Sequence, residues 1–150
     1  MRVSSRVRSP LAGDDAARLT RAVLRAERVA HAVLSITFVG RRRIRTLNRR
    51  HLGHDRETDV IAFAMTGRTD ARTRGRTGAR KGRDLVVGDV YVCAPVAAAQ
   101  ACRLEVPVRD ELRRLVVHGV LHVLGYDHPS GPGRTSSPMW RRQERLVARL

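Results

Sequence analysis

The sequence predicts an α+β fold: a single domain over residues 1–150, with a small mixed β-sheet packed by several helices. Three observations lead to that class. Helical periodicity dominates the chain, but three or so short β-branched or apolar runs interrupt it. No internal repeat is visible. At 150 residues, 42% of them hydrophobic, the chain can bury one core. Aromatic residues are scarce, so that core must rest on Val, Leu, Ile and Ala.

The elements follow in chain order. Met1 to Gly13 holds several Arg and Ser without a continuous apolar run, which argues against a signal peptide. Asp14 and Asp15 have the character of an N-cap and first turn. The helix they open is expected to reach about His31, with Leu19, Val23 and Leu24 on its apolar stripe. Val33 to Val39 is β-branched and predicts a strand. Arg41 to about His51 predicts a very basic helix, with Ile44 and Leu47 as its stripe and Gly53 ending it.

Thr58 to Phe63 predicts a short strand leaving a turn. Thr66 to Asp84 is rich in Gly, Arg and Thr and cannot bury a face, so it is expected to be a basic flexible loop. It is either a solvated insertion or a basic arm touching RNA backbone. Leu85 to Cys93 predicts a strand interrupted at Gly88 and Asp89. Pro95 to about Arg103 is an Ala-rich helix with Pro at a permitted first-turn position.

Val108 to Leu124 is the longest helical pattern, and it is the expected central helix. Asp110 and Glu111 complement the dipole at its start, and Gly125 supplies its C-cap. A Pro/Gly/Ser loop from Pro129 to Pro138 leads into a last basic helix, Met139 to Leu150. No stretch approaches the length of a membrane span.

Charge narrows the partners. Thirty Lys plus Arg against fourteen Asp plus Glu leave +16, nearly all of it from Arg. Such a balance attracts polyanions, and Arg suits planar, bidentate contact with phosphate. A proteome-wide preference for Arg would give the same composition. Cys93 and Cys102 lack the C-x-x-C spacing of a zinc or redox motif. Cys93 sits in an apolar run and is expected to be buried. A reducing, cytoplasmic setting is the default.

The chemistry is carried by His118-Gly119-Val120-Leu121-His122-Val123-Leu124-Gly125-Tyr126-Asp127-His128. Two histidines four apart share one helical face, so both imidazoles can reach one ion. Gly125 lets the chain turn back, and His128 can then close the third ligand position at the end of the helix. A fourth position stays open, as in catalytic rather than structural zinc sites. The expected cofactor is one Zn2+ held by His118, His122 and His128, although imidazole also suits other transition metals. The spacing matches the long zincin motif at all three histidines and the glycine. Gly119 stands where a zincin has its general-base Glu, which argues against peptide hydrolysis by the usual route.

This histidine segment resembles the signature of the YbeY family. The likeness extends to Leu47-Asn48, Gly53 and Asp55, to Thr58-Asp59-Val60-Ile61-Ala62-Phe63, and to Val87-Gly88-Asp89-Val90-Tyr91-Val92. Gln100-Ala101 and Glu111-Leu112 also fall where that family has similar residues. Order and spacing hold from about Leu34 to His128.

The resemblance implies a metal-dependent, single-strand-specific endoribonuclease acting in ribosomal RNA processing, at the 3′ end of 16S rRNA, and in ribosome biogenesis. It implies RNA and ribosomal particles as partners, no membrane, and a cytoplasmic setting. The chain departs from the family pattern at Leu52, where an Arg of functional importance is common, and at Glu57, where Pro is usual. The acidic stretch expected after the last histidine is replaced by the loop from Pro129 to Pro138.

Several residues compete for the remaining roles. Arg56 and Asp127 are the catalytic candidates; a turn residue is the alternative for Asp127. Arg49 and Arg50, with Arg41, Arg42, Arg43 and Arg45, are the candidates for RNA phosphates; a solvated basic helix is the alternative. His51 and His54 either line the site or are solvated. Asp59 either holds the start of its strand or faces the site. His31 is expected to complement a helix dipole, and Tyr126 to serve packing. Two other functions stay open: a zinc metallopeptidase lacking the Glu base, and a non-catalytic ribosome assembly factor.

Overall fold

A computed structural model describes residues 2–5, 9–65 and 85–150. Among these, four strands and five helices follow in the order β1 (Arg2–Ser5), α1 (Gly13–Ala26), β2 (Ala32–Val39), α2 (Arg41–Leu52), β3 (Val60–Ala64), β4 (Val86–Cys93), α3 (Ala94–Leu104), α4 (Val108–Val123) and α5 (Pro138–Arg149). The α+β expectation holds. The basic segment Thr66 to Asp84 lies outside the described residues.

The sheet is mixed, in the order β1-β2-β4-β3. β1, β2 and β4 run parallel, and β3 is an antiparallel edge on β4. Strand alternation sends two sets of side chains to opposite faces. Leu34, Ile36, Phe38, Val90 and Val92 face the main core with α1, α4 and α5. Val39, Ile61 and Cys93 face a smaller cluster with Ile44 and Leu47 of α2. Cys93 is fully buried, as expected from its apolar run.

Four expectations need correction. β1 has no counterpart in the sequence reading: four polar-looking residues show no pattern, but Val3 pairs with Ile36 and Ser4 Oγ meets Thr37 Oγ1 at 3.2 Å. α1 starts after Ala12 without a side-chain cap, so neither Asp14 nor Asp15 is its N-cap. It also stops at Ala26 rather than near His31, because Arg28 is left-handed (φ 57°) and turns the chain toward β2. Tertiary ties hold that corner: Glu27 accepts from Arg142 Nε at 2.6 Å and from the Tyr126 hydroxyl at 2.7 Å.

β4 runs without interruption through Gly88 and Asp89. A Cβ on Gly88 would stand 2.5 Å from Val123 Cγ1 and 2.7 Å from the Phe63 carbonyl oxygen. That glycine marks the close approach of α4 to the sheet, not a break.

Candidate metal centre

α4 is buried on nearly every side, through Leu112, Leu115, Val116, Val117, Val120, Leu121 and Val123. Asp110 and Glu111 lie in its first turn, as expected. It ends in a Schellman turn: Tyr126 N donates to Leu121 O and Gly125 N to His122 O, both at 3.0 Å, with Gly125 at φ 91°. That turn brings His128 back over His118 and His122.

The three rings converge. His122 Nε2 and His128 Nε2 lie 3.1 and 3.3 Å from His118 Nε2. Every Nδ1 faces an oxygen that can only accept. His118 Nδ1 donates to Gln143 Oε1 at 2.7 Å, His122 Nδ1 to Tyr126 O at 3.1 Å, and His128 Nδ1 to Pro129 O at 3.0 Å. The Gln143 amide is oriented by its own Nε2, which donates to Glu144 Oε1 at 3.0 Å. With Nδ1 protonated, each Nε2 presents a lone pair to the same point. Three lone pairs this close repel unless a cation lies between them. Nitrogens held at zinc–imidazole distance around a tetrahedral ion stand about 3.4 Å apart, which these residues fit.

Burial keeps the site ligand-ready. Desolvation, above all, pulls His118 down to about 4 and also lowers His122, so both are neutral near pH 7. Gln143, fully buried on α5, ties His118 to a network through Glu144, Arg114 and the buried Glu111. Burial raises Glu111, opposed by Arg114. Gln143 was not visible as a site residue in the sequence. It lies 25 positions from His118 in a basic helix, and only packing brings it there.

The triad opens onto a cleft of about 640 Å3 along the edge strand β3. Asn48, Leu52, His54, Arg56, Asp59, Asp127 and Arg134 are among its other lining residues. The clamp at one end is Asn48, whose Nδ2 donates to Arg56 O at 2.9 Å. Asp59 does both things considered for it. It faces the cleft, and it anchors the start of β3 by accepting from Val60 N at 2.8 Å and Gln100 Nε2 at 3.0 Å. Asp127 Oδ1 accepts from His128 N at 2.8 Å, the geometry of a turn residue.

The histidines and arginines of the α2 region divide. His54 lines the cleft; His51 instead meets the Phe63 ring edge-on at 5.1 Å. Arg49 and Arg50 are exposed on α2 and do not line the cleft. Arg45 is held in a bidentate pair by Asp55 (2.8 and 3.0 Å), and Arg41 is held by Glu57 (2.5 Å). Tyr126 packs against the core and uses its hydroxyl on Glu27.

Gly119 has a structural cause. A Cβ there would lie 2.4 Å from Val90 Cγ1 and 3.2 Å from Val60 Cγ2. The position faces the sheet, so a Glu base could not be placed there without displacing the Val90 side chain. The peptidase reading is therefore not favoured.

A family profile described as "Endoribonuclease YbeY" matches residues 6–150. Relatives carrying the name endoribonuclease YbeY include that of Syntrophotalea carbinolica, 38% identical over 119 residues, which are 79% of this chain and 73% of its own. Another, from Moorella thermoacetica, is 37% identical over 132 residues, 87% of this chain and 81% of its own. A Thermotoga maritima protein solved in solution superposes with a TM-score of 0.62 at 23% identity. That match covers 97% of this chain and 85% of the other, and it establishes likeness of fold.

Proposed function

Because the chain belongs to the YbeY family, we propose that it is a metal-dependent endoribonuclease that holds one zinc ion on His118, His122 and His128 and cleaves single-stranded ribosomal RNA in the cytoplasm. The observation that carries this is the convergence of three unprotonated Nε2 atoms at the wall of an open cleft. The family supplies RNA as the substrate class. The net charge of +16 suits a polyanion. Action on ribosomal particles, at the 3′ end of 16S rRNA, follows from the same family reading.

When bound, zinc supplies Lewis acidity toward a phosphoryl oxygen and lowers the pKa of a water molecule. The chain's own residues do the rest. Gln143, the Tyr126 carbonyl and the Pro129 carbonyl hold the three rings with Nε2 toward one point, so no ring must rotate to bind. Asp59 and Asn48 hold the opposite wall of the cleft. Arg56 brings positive charge to its mouth for an incoming phosphate. Asp127 acts as a positioning residue, through the His128 N–H, rather than as the base.

The test is metal analysis of the purified protein with cleavage assays on a single-stranded rRNA fragment and an unfolded protein, for wild type and His122→Ala. One zinc per chain and RNA cleavage in wild type are expected, with both lost in the variant and the protein substrate intact. RNA binding that survives His122→Ala, without cleavage in either form, would make the chain an assembly factor instead.

A further inference from the structure

Leu52, at the end of α2, puts an apolar side chain in the wall of the triad's cleft. Besides Arg56, the cleft has a second arginine, Arg134, from the loop that precedes α5. We propose that Arg134 supplies the phosphate contact beside the three histidines, gripping the RNA backbone. This assignment rests on the ribonuclease reading above.

Arg134 stands at a junction. It lines the cleft together with all three histidines, and it also lines a second cavity, of about 290 Å3, on the other side of His118.

The side chain is uncompensated. Its Nε is buried and has no hydrogen-bond partner among the described residues. The carboxylates of the second cavity are committed elsewhere: Asp59 to Gln100 and Val60 N, Glu111 to Arg114 at 3.1 Å. A buried guanidinium donor without a partner calls for an anion. The cleft's own carboxylates are engaged elsewhere, Asp59 with Val60 N and Gln100 and Asp127 with His128 N, and neither pairs with Arg134 among the described residues.

The backbone holds the residue in place. Gly131 and Gly133, at φ 80° and 94°, bend the loop on either side of Pro132. Arg134 N donates to Gly131 O at 3.1 Å. Its carbonyl accepts from Ser137 N at 3.2 Å and from Ser137 Oγ at 2.7 Å, while Ser137 Oγ caps α5 by accepting from Trp140 N at 3.1 Å. The guanidinium lies over the Trp140 ring, 5.8 Å from its centroid. A planar fork fixed at its root and stacked on one face is ready for bidentate contact with a phosphate.

The test uses the zinc-loaded full chain and a short 2′-O-methyl RNA strand, with affinity measured across a salt series. Arg134→Gln should weaken binding about tenfold and reduce the slope of log affinity against log salt by about 0.7, the share of one single-strand phosphate. Arg134→Lys should keep the slope and lose part of the affinity. Arg18→Gln, which removes a charge on α1 far from the cleft, should change neither. Adding Leu52→Arg to Arg134→Gln should restore the slope.

Wild-type affinity and slope in Arg134→Gln, at unchanged zinc content, would overturn the assignment while leaving the ribonuclease reading intact. Absence of both RNA binding and cleavage in wild type would remove that reading, and the assignment with it. If Arg134→Gln fails to fold or to hold zinc, Arg134→Lys decides: a reduced salt slope at wild-type zinc content overturns the proposal.

Discussion

The two faces of the sheet are built differently, and the cleft lies where they meet. One face is thick. α1, α4 and α5 cover it with a continuous core of fully buried residues from Leu11 to Leu146. The other is thin, with Ile44 and Leu47 of α2 seated on Val39, Ile61 and Cys93. The thick face carries the hydrogen-bonded histidines, with His118 and His122 desolvated and neutral. The thin face carries exposed arginines, two of them already neutralised by Asp55 and Glu57. β3, the edge strand, contributes residues to both clusters and forms the floor of the cleft. The division teaches that precision and charge come from different sides: ligand geometry needs a rigid core, whereas charge needs solvent.

The division can be broken by deleting core from each face. Leu121→Ala and Ile44→Ala should each cost about 2–5 kcal/mol, because both side chains are fully buried. Only Leu121→Ala, on the histidine-bearing helix, should also weaken zinc binding. Equal zinc loss in Ile44→Ala, by titration against a chelator, would show that the faces are not independent.

Glycines sharpen the contrast. Gly119→Ala should cost about 1–3 kcal/mol through its clash with Val90, read as a fall in Tm. Gly53→Ala, on the thin side, meets no atom within 4 Å and should cost about 1 kcal/mol, from its φ of 74° alone. A larger loss for Gly53→Ala would reverse the comparison.

Gln143→Leu removes the partner of His118 without touching the cleft's charge. Zinc affinity should fall about tenfold to hundredfold, with a stability change smaller than that of Leu121→Ala. Unchanged affinity would mean that the tautomer needs no help from α5.

The smallest effect belongs to the surface of the thick face. The Arg18 hydrogen bond, with help from Arg109, holds the Asp15 carboxyl below its ordinary 3.8. A depressed carboxyl stabilises the fold above its ordinary value, and that contribution is lost as pH falls through the lowered one. Asp15→Asn should therefore lower neutral-pH stability slightly, as expected for an exposed ion pair, and flatten the acid limb of the stability curve below about pH 4.

Much of this protein was legible in the sequence because its signals are local. His118 and His122 share a face by helical period alone, and Gly125 ends the helix by a turn that its own φ permits. The β-branched character of β2 and the basic character of α2 were equally plain. What only tertiary structure decided depends on residues far apart in the chain. β1 exists because β2 offers it an edge. Gly119, which the sequence presents as a missing base, is a packing contact with Val90. Arg49 and Arg50 stand off the cleft, whereas Arg134 and Leu52, distant in sequence, share it. Gln143 reaches His118 only because α5 folds back on α4. A spacing sets which side chains share a face of one helix; it carries no information about what another element brings against that face.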